Sequence, residues 1–151
     1  MQKINLKTKS IGKILAIILL IFLSASIIFG IIYFSKYKIV AIGRYNFFVE
    51  LTRKPEKQIQ GLGGRAKIRE KEGMLFDFGK KGEYSFWMKD MQVDLDILWI
   101  NEGKIVHIAK NVSHDSLETI NPKIEADKVL EINSGLSDKY NFKIGDSVKI
   151  Y

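Results

Sequence analysis

The sequence predicts a mainly β fold, a compact small β-barrel or sandwich with one short helix, preceded by a single transmembrane helix. Short apolar runs separated by glycine-containing turns recur from residue 39 onward, which is the pattern of an all-β domain. Within that part, the strongest helical signal is confined to residues 53–60. Residues 14–35 carry no charge, and roughly 20 apolar residues are enough to cross a bilayer core as a helix.

The amino-terminal quarter of the chain predicts a membrane anchor. Residues 1–13 form a basic leader with four lysines, and residues 14–35 form the membrane-spanning helix, whose partner is the lipid bilayer. The lysine-rich flank predicts a single-pass protein of the cell membrane, with a cytoplasmic amino terminus and the domain outside. The alternative is a cleaved signal peptide, with Ser24 and Ser26 beside the cleavage site. Because the apolar run continues to Phe34, the anchor is the favoured interpretation.

Charge and composition argue against several classes of function. The net charge of the 151-residue chain is +7, but six of its 24 basic residues precede Gly43 and all 17 acidic residues follow it. The remaining 18 basic residues are therefore balanced by 17 acidic ones, and this near-neutral domain predicts no nucleic-acid partner. The absence of cysteine excludes disulfides, thiolate metal sites and a cysteine nucleophile. We predict no cofactor and no metal.

The first part of the domain predicts a hairpin followed by a helix. Residues 36–44 are a tether and first strand, and residues 45–151 are the domain itself. Within the latter, Tyr45–Thr52 alternates apolar and polar side chains, the period of a half-buried strand. Pro55 suits the first turn of the helix, and Gly61 begins the glycine-rich stretch that ends it.

The stretch from residue 73 to residue 100 predicts the core of the domain. Both tryptophans of the chain, Trp87 and Trp99, lie in it, and such side chains bury large apolar areas. Its first two apolar runs are separated by Gly79-Lys80-Lys81-Gly82, which has the composition of a hairpin turn.

The remaining residues predict another hairpin and two more strands. Residues 101–103 turn the chain back into residues 104–108. Residues 111–127 lack periodicity and predict a long loop. A strand, one helical turn and the last strand follow at residues 128–132, 136–140 and 147–150.

Several motifs occur in an order that resembles a known family. The most specific are the run Ser85-Phe86-Trp87-Met88-Lys89 and the following Leu95-Asp96-Ile97, and others are Gly61-Leu62, Gly73-Met74-Leu75-Phe76, Leu130-Glu131-Ile132 and Gly145-Asp146-Ser147-Val148. Over about residues 47–150, the chain resembles the domain of unknown function 192 (DUF192) family of small prokaryotic proteins. The resemblance implies a small, mostly β fold and no established activity. The chain departs from the family pattern at Asp90 and Asp94, where asparagine and proline are usual.

A binding site is predicted around a small set of residues, namely Arg65, Phe86, Trp87, Lys89, Asp96 and Glu131. Asp96 lies in the most apolar strand, where an unpaired carboxylate is costly. We therefore expect Asp96 to be partly buried and paired with Lys89 or Arg65. The alternative places Asp96 on the solvent side of its strand. Glu131 precedes a turn and is a candidate to bond a basic side chain across the sheet.

Three functions are compatible with this pattern. The favoured one is a binding module for a small molecule, a peptide or an envelope polymer, with a groove around Trp87, Lys89 and Asp96. The second is a hydrolase or transferase that uses the carboxylates of Asp94 and Asp96, although the sequence offers no nucleophile with an adjacent base. The third is a structural partner of another membrane protein.

Overall fold

The computed structural model describes residues 2–151, with side chains described from residue 11 onward. The chain divides into two compact units after Ser35. Helix α1, Gln2–Lys36, contains a segment, Ile11–Lys36, that is long and apolar enough to span a membrane, with a mean hydropathy of 3.0. Signal sequences share this length and composition.

The second unit is mainly β, which confirms the predicted fold class. Its strands are β1 Tyr37–Ile42, β2 Tyr45–Thr52, β3 Glu72–Glu83, β4 Leu95–Asn101, β5 Lys104–Val112, β6 Glu125–Asn133 and β7 Val148–Ile150. Two short helices interrupt them, α2 Pro55–Gln60 and α3 Leu136–Lys139. Helix α2 begins with its proline, where the missing N–H is not needed, and Gly61 caps its end.

The seven strands form one sheet in the order β5-β4-β6-β3-β2-β1-β7. The pair β2–β3 is parallel, and the other neighbouring pairs are antiparallel. The two ends of this order meet near the β4–β5 turn, where Lys104 bridges to Ser147 and the N–H of Val148 donates to the carbonyl of Gly103 at 2.7 Å. The sheet therefore curls into a half-barrel.

The sheet is covered on both faces, and β4 is the strand that shows this most clearly. Its residues from Leu95 to Ile100 are all buried. Leu98 and Ile100 belong to one hydrophobic cluster, the first core, which also takes side chains from β1, β2, β5 and β7. Ile97 and Trp99 belong to the other, the second core, which is covered by the segments that precede β3 and β4. Burial on both faces explains why this strand is apolar on both sides from Ile97 to Ile100.

Local turn chemistry predicts two hairpins correctly and a third wrongly. The β1–β2 and β4–β5 hairpins have the predicted turns. The proposed turn at Gly79–Gly82 does not reverse the chain, because β3 continues from Glu72 to Glu83 and pairs with β6 on both sides of an irregularity between Asp77 and Gly82. The glycines there serve a bulge within the strand. The long loop is also shorter than predicted, since β5 extends to Val112 and β6 starts at Glu125.

Candidate functional site

A cleft of about 350 Å³ opens onto the second core. Its walls come from α2 and the turn after it, from β3, from the segment between β3 and β4, and from the long loop. The lining residues are Pro55, Gln58, Ile59, Gln60, Gly61, Leu62, Phe76, Phe78, Tyr84, Ser85, Phe86, Trp87, Lys89, Met91, Thr119 and Glu131. Most of these side chains are apolar or aromatic, and the basic and acidic ones are Lys89 and Glu131. A concave, mainly apolar site with a few polar groups is typical of small-molecule sites.

The segment before β4 is held in place by aromatic contacts. Phe86 is buried and packs edge-on against Phe76 and Trp99, with ring centroids 4.9 Å and 5.6 Å apart. The indole N–H of Trp99 donates to the carbonyl of Tyr84 at 2.8 Å. Because Phe86 points into the second core, the neighbouring Trp87 points outward and is 52% exposed on the cleft wall. The two tryptophans therefore differ in role, although both lie in the stretch predicted to form the core.

Glu131 is the buried carboxyl of the cleft. It lies on β6 between Met74 of β3 and Ile97 of β4, and only 4% of the residue is exposed. Its Oε2 atom has no hydrogen-bond partner among the described residues. Burial raises the pKa of Glu131 to about 8, and the nearby charge of Arg65 offsets part of that rise. The carboxyl is therefore protonated at neutral pH.

Gly61 leaves room beside this carboxyl. Its φ of +52° is one that glycine adopts readily and other residues rarely do. A Cβ atom at Gly61 would lie 3.7 Å from Oε2 of Glu131 and 3.6 Å from Cζ of Phe76. The same glycine therefore ends α2 and keeps side-chain atoms away from the carboxyl and the ring.

Four of the six predicted site residues line this cleft: Phe86, Trp87, Lys89 and Glu131. Lys89 forms no ion pair with any of the acidic side chains that the structure describes. Glu131 bonds no basic side chain across the sheet, contrary to its predicted role, because the second core surrounds it with apolar groups.

Arg65 lies outside the cleft lining. Its guanidinium forms an ion pair with Oε1 of Glu50 at 2.6 Å, and Oε2 of Glu50 forms a second ion pair with the ammonium of Lys36 at 3.2 Å. Arg65 affects the site only through its charge, which acts on the carboxyl of Glu131.

Asp96 belongs to a different part of the molecule, and the prediction that it pairs with Lys89 or Arg65 is wrong. It is completely buried, so the alternative of an exposed strand position is wrong as well. Oδ1 accepts the backbone N–H groups of Asn111 at 2.8 Å and Gly135 at 3.1 Å, and Oδ2 accepts that of Ser137 at 2.7 Å. Three amide dipoles take the place of the expected cation. Asp96 thereby joins β4 to the end of β5 and the start of α3.

Asp94 and the histidines form no common centre with Asp96. Asp94 is exposed, and its Oδ1 accepts a hydrogen bond from the backbone N–H of His114 at 2.8 Å. The ring nitrogen Nδ1 of His114 lies 2.7 Å from the same oxygen. The hydrogen bond between these two side chains raises the pKa of His114. His107 instead packs against the ring of Trp99 on β5. Within the described part of the chain, no group of three or more carboxylate or histidine side chains is arranged to hold a metal ion.

Sequence reasoning missed the part of the cleft that α2 and the long loop supply. Ile59, Gly61 and Thr119 line it, and they are 72, 70 and 12 positions from Glu131 in the printed sequence. One signal was present in the sequence: Ile59 is the only large apolar residue of the polar segment 53–60, and it is 66% exposed.

Comparison with known proteins places the domain in a family. Among curated proteins there is no match. The crystal structure of a putative transcription regulator from Sinorhizobium meliloti 1021 is 30% identical, with a TM-score of 0.70 over 75% of this chain and 91% of that one. A protein of unknown function from Novosphingobium aromaticivorans DSM 12444 is 28% identical, with a TM-score of 0.68 over 75% and 83% of the two chains. The DUF192 pattern, described as "Uncharacterized ACR", matches residues 37–150, so the resemblance is confirmed and the chain belongs to the DUF192 family.

Proposed function

We propose that this protein is a membrane-anchored binding module whose cleft holds a small molecule, or one unit of a peptide or envelope polymer. The observation that carries the proposal is the combination of an aromatic, apolar cleft with a buried carboxyl whose Oε2 has no hydrogen-bond partner among the described residues. Buried polar groups are nearly always hydrogen-bonded, so a lone one in the wall of a cleft favours a ligand that completes it.

The proposed groove keeps Trp87 and Lys89 from the sequence-based hypothesis and replaces Asp96 by Glu131. The carboxylate-dependent hydrolase or transferase is not favoured, because both oxygens of Asp96 already accept backbone N–H groups and Asp94 is bonded to His114. A carboxylate so engaged is poorly placed to act as a base or a nucleophile.

Binding is tested with the full chain in lipid nanodiscs and the fluorescence of Trp87 as the reporter. A collection of soluble small molecules, short peptides and oligosaccharides is screened, and Trp87→Phe identifies the signal of this side chain, since Trp99 is buried. We expect at least one compound to change the fluorescence and to bind less tightly to Ile59→Glu, which alters the cleft wall.

The matched control is Ile144→Glu. Ile144 is 66% exposed, as Ile59 is, and lies outside the cleft lining, so this variant introduces the same charge at another apolar surface position. It should bind like the unmodified protein. The absence of any compound whose binding depends on Ile59 would contradict the proposed function.

We also propose that α1 anchors the domain outside the cell membrane. The support is the apolar segment Ile11–Lys36 together with the lysines that precede it. Reporters that work on only one side of the membrane are fused to the carboxyl terminus, and we expect the reporter that works outside to be active. Strong activity of the cytoplasmic reporter would show that the domain lies in the cytoplasm. A mature protein that begins near Ile27 would show that the segment is a cleaved signal peptide.

A further inference from the structure

The chemistry of the cleft wall points to a class of ligand, and this inference rests on the proposed function. We propose that the cleft binds an apolar molecule carrying a primary ammonium group, with the ammonium at the carboxylate of Glu131. The apolar part of the ligand then packs against the aromatic side chains Phe76, Phe86 and Trp87.

Glu131 has a hydrogen-bonding atom in the cleft wall that the described residues leave unsatisfied. Glu131 is buried, lines the cleft, and has an oxygen without a donor among the described residues. An ionised carboxylate only accepts hydrogen bonds, and an ammonium only donates them. Charge-assisted bonds of this kind are roughly twice as strong as neutral ones. An ammonium group therefore supplies what the carboxylate lacks.

Aromatic rings lie beside that oxygen. Phe76 and Glu131 are both neighbours of Gly61, at 3.6 Å and 3.7 Å from the position that its Cβ would take. Phe86 packs edge-on against Phe76, and both line the cleft. Aromatic side chains this close to the carboxyl offer apolar surface to a ligand. The surroundings of Glu131 thus favour a ligand whose apolar body lies beside its polar group.

Two basic side chains of the protein itself, Arg65 and Lys89, lie at or near this cleft. Arg65 is the basic side chain whose charge acts on Glu131, but its guanidinium is bonded to Glu50. Lys89 lines the same cleft and makes no ion pair with Glu131. The position of the counter-ion is therefore open to a ligand.

Proton linkage gives the proposal a specific signature. Burial raises the pKa of Glu131 to about 8, so the free cleft holds a proton at neutral pH. Binding of the ammonium ion replaces that proton, and one proton leaves for each ligand bound. Affinity for the amine should then rise about tenfold per pH unit below the pKa and level off above it. A neutral ligand that accepts a hydrogen bond from the protonated carboxyl would instead lose affinity above that pH.

The experiment uses the full chain in lipid nanodiscs with two probes of the same shape, 2-phenylethylamine and 2-phenylethanol. Titration calorimetry at pH 6.5, 7.25 and 8, in buffers of different ionisation enthalpy, measures affinity and proton release together. We expect the amine to bind more tightly than the alcohol and to release about one proton at pH 6.5. Glu131→Gln, in the same nanodiscs, should weaken amine binding by about 30-fold or more and abolish the proton release.

The outcomes separate this inference from the proposed function. Equal binding of amine and alcohol, or unchanged amine binding in Glu131→Gln, overturns the ligand class and leaves a binding module for neutral molecules. If neither probe binds but a compound without an ammonium group binds in a manner that depends on Ile59, the ligand class alone is wrong. If no compound at all depends on Ile59, the proposed function fails as well.

Discussion

The sheet buries two carboxyl side chains on neighbouring strands, and it treats them in opposite ways. Asp96 pairs with Ile132 and Glu131 pairs with Ile97, so the two acids are one register step apart and belong to opposite faces. Asp96, on the side of the first core, receives three backbone N–H groups. Glu131, on the side of the second core, has an oxygen that receives none from the part of the chain that the structure describes. Both side chains are buried, and their hydrogen bonds separate the structural acid from the one proposed to bind a ligand.

The largest expected effect is the loss of the structural acid. Asp96→Ala would leave the buried N–H of Ser137 and the part-buried N–H groups of Asn111 and Gly135 without an acceptor, and an unsatisfied buried group costs about 1–3 kcal/mol. We therefore expect the free energy of unfolding to fall by about 5 kcal/mol in urea denaturation. The matched control is Asp94→Ala, whose exposed bond to His114 should be worth less than about 1 kcal/mol. Equal effects of the two substitutions would remove the distinction between a structural and a surface acid.

The two tryptophans extend the comparison from the acids to the rings around them. Trp99 is fully buried in the second core, whereas Trp87 is half exposed on the cleft wall. Trp99→Ala should cost about 3–5 kcal/mol through lost contacts and a cavity. Trp87→Ala should cost less than about 1 kcal/mol and yet weaken ligand binding. A large loss of stability in Trp87→Ala would give this ring a structural role instead.

The sequence alone predicted those turns whose structure depends on neighbouring residues. The turns after Ile42 and Asn101 contain glycine at the right place, and both hairpins form. The similar composition of residues 79–82 failed as a turn, because pairing of β3 with β6 resumes at Gly82 and carries the strand onward. Whether this segment turns depends on the register of β3 with a partner residue 44 positions away in sequence. The composition of the segment carries no information about that register.

The same contrast explains the candidate site. Phe86, Trp87 and Lys89 follow one another closely in the chain, and one motif predicted them together. The donors to Asp96 lie 15, 39 and 41 residues away and are main-chain groups, which side-chain reasoning does not consider. The alternation of β6 places Glu131 on the face of Val129, away from Leu130 and Ile132. Its position in the cleft depends on α2, which is distant from Glu131 in sequence and lies near it only in the folded domain.

A smaller effect is expected from Glu131, the acid proposed to bind a ligand, and it depends on pH. The folded-state pKa of Glu131 is about 8, above the ordinary value of 4.5, so folding favours the protonated form. That stabilisation is complete below the ordinary value and is lost as pH rises toward about 8. Glu131→Gln has no such dependence. Relative to the unmodified protein, its free energy of unfolding should therefore rise by about 3 kcal/mol between pH 5 and pH 8. A difference that stays constant with pH would contradict the raised pKa.

The smallest effect concerns Arg65. Its charge lowers the pKa of Glu131 from outside the cleft, so Arg65→Gln should raise that pKa further. The lost pair with Glu50 is partly exposed and should cost about 1 kcal/mol or less in urea denaturation. A fall in the pKa of Glu131 in this variant would mean that Arg65 does not act on the carboxyl through its charge.

The most direct test is a carbon-13 NMR titration of the Glu131 side-chain carboxyl in the full chain, with Glu131→Gln used to assign its signal. The account predicts a midpoint near pH 8, as expected for a buried carboxyl whose Oε2 has no donor among the described residues and whose pKa the charge of Arg65 lowers only in part. Saturation with 2-phenylethylamine should lower that midpoint, because the bound cation stabilises the ionised form. A midpoint near the ordinary value of 4.5 without any ligand would contradict the account, since Glu131 would then already have a partner in the free protein.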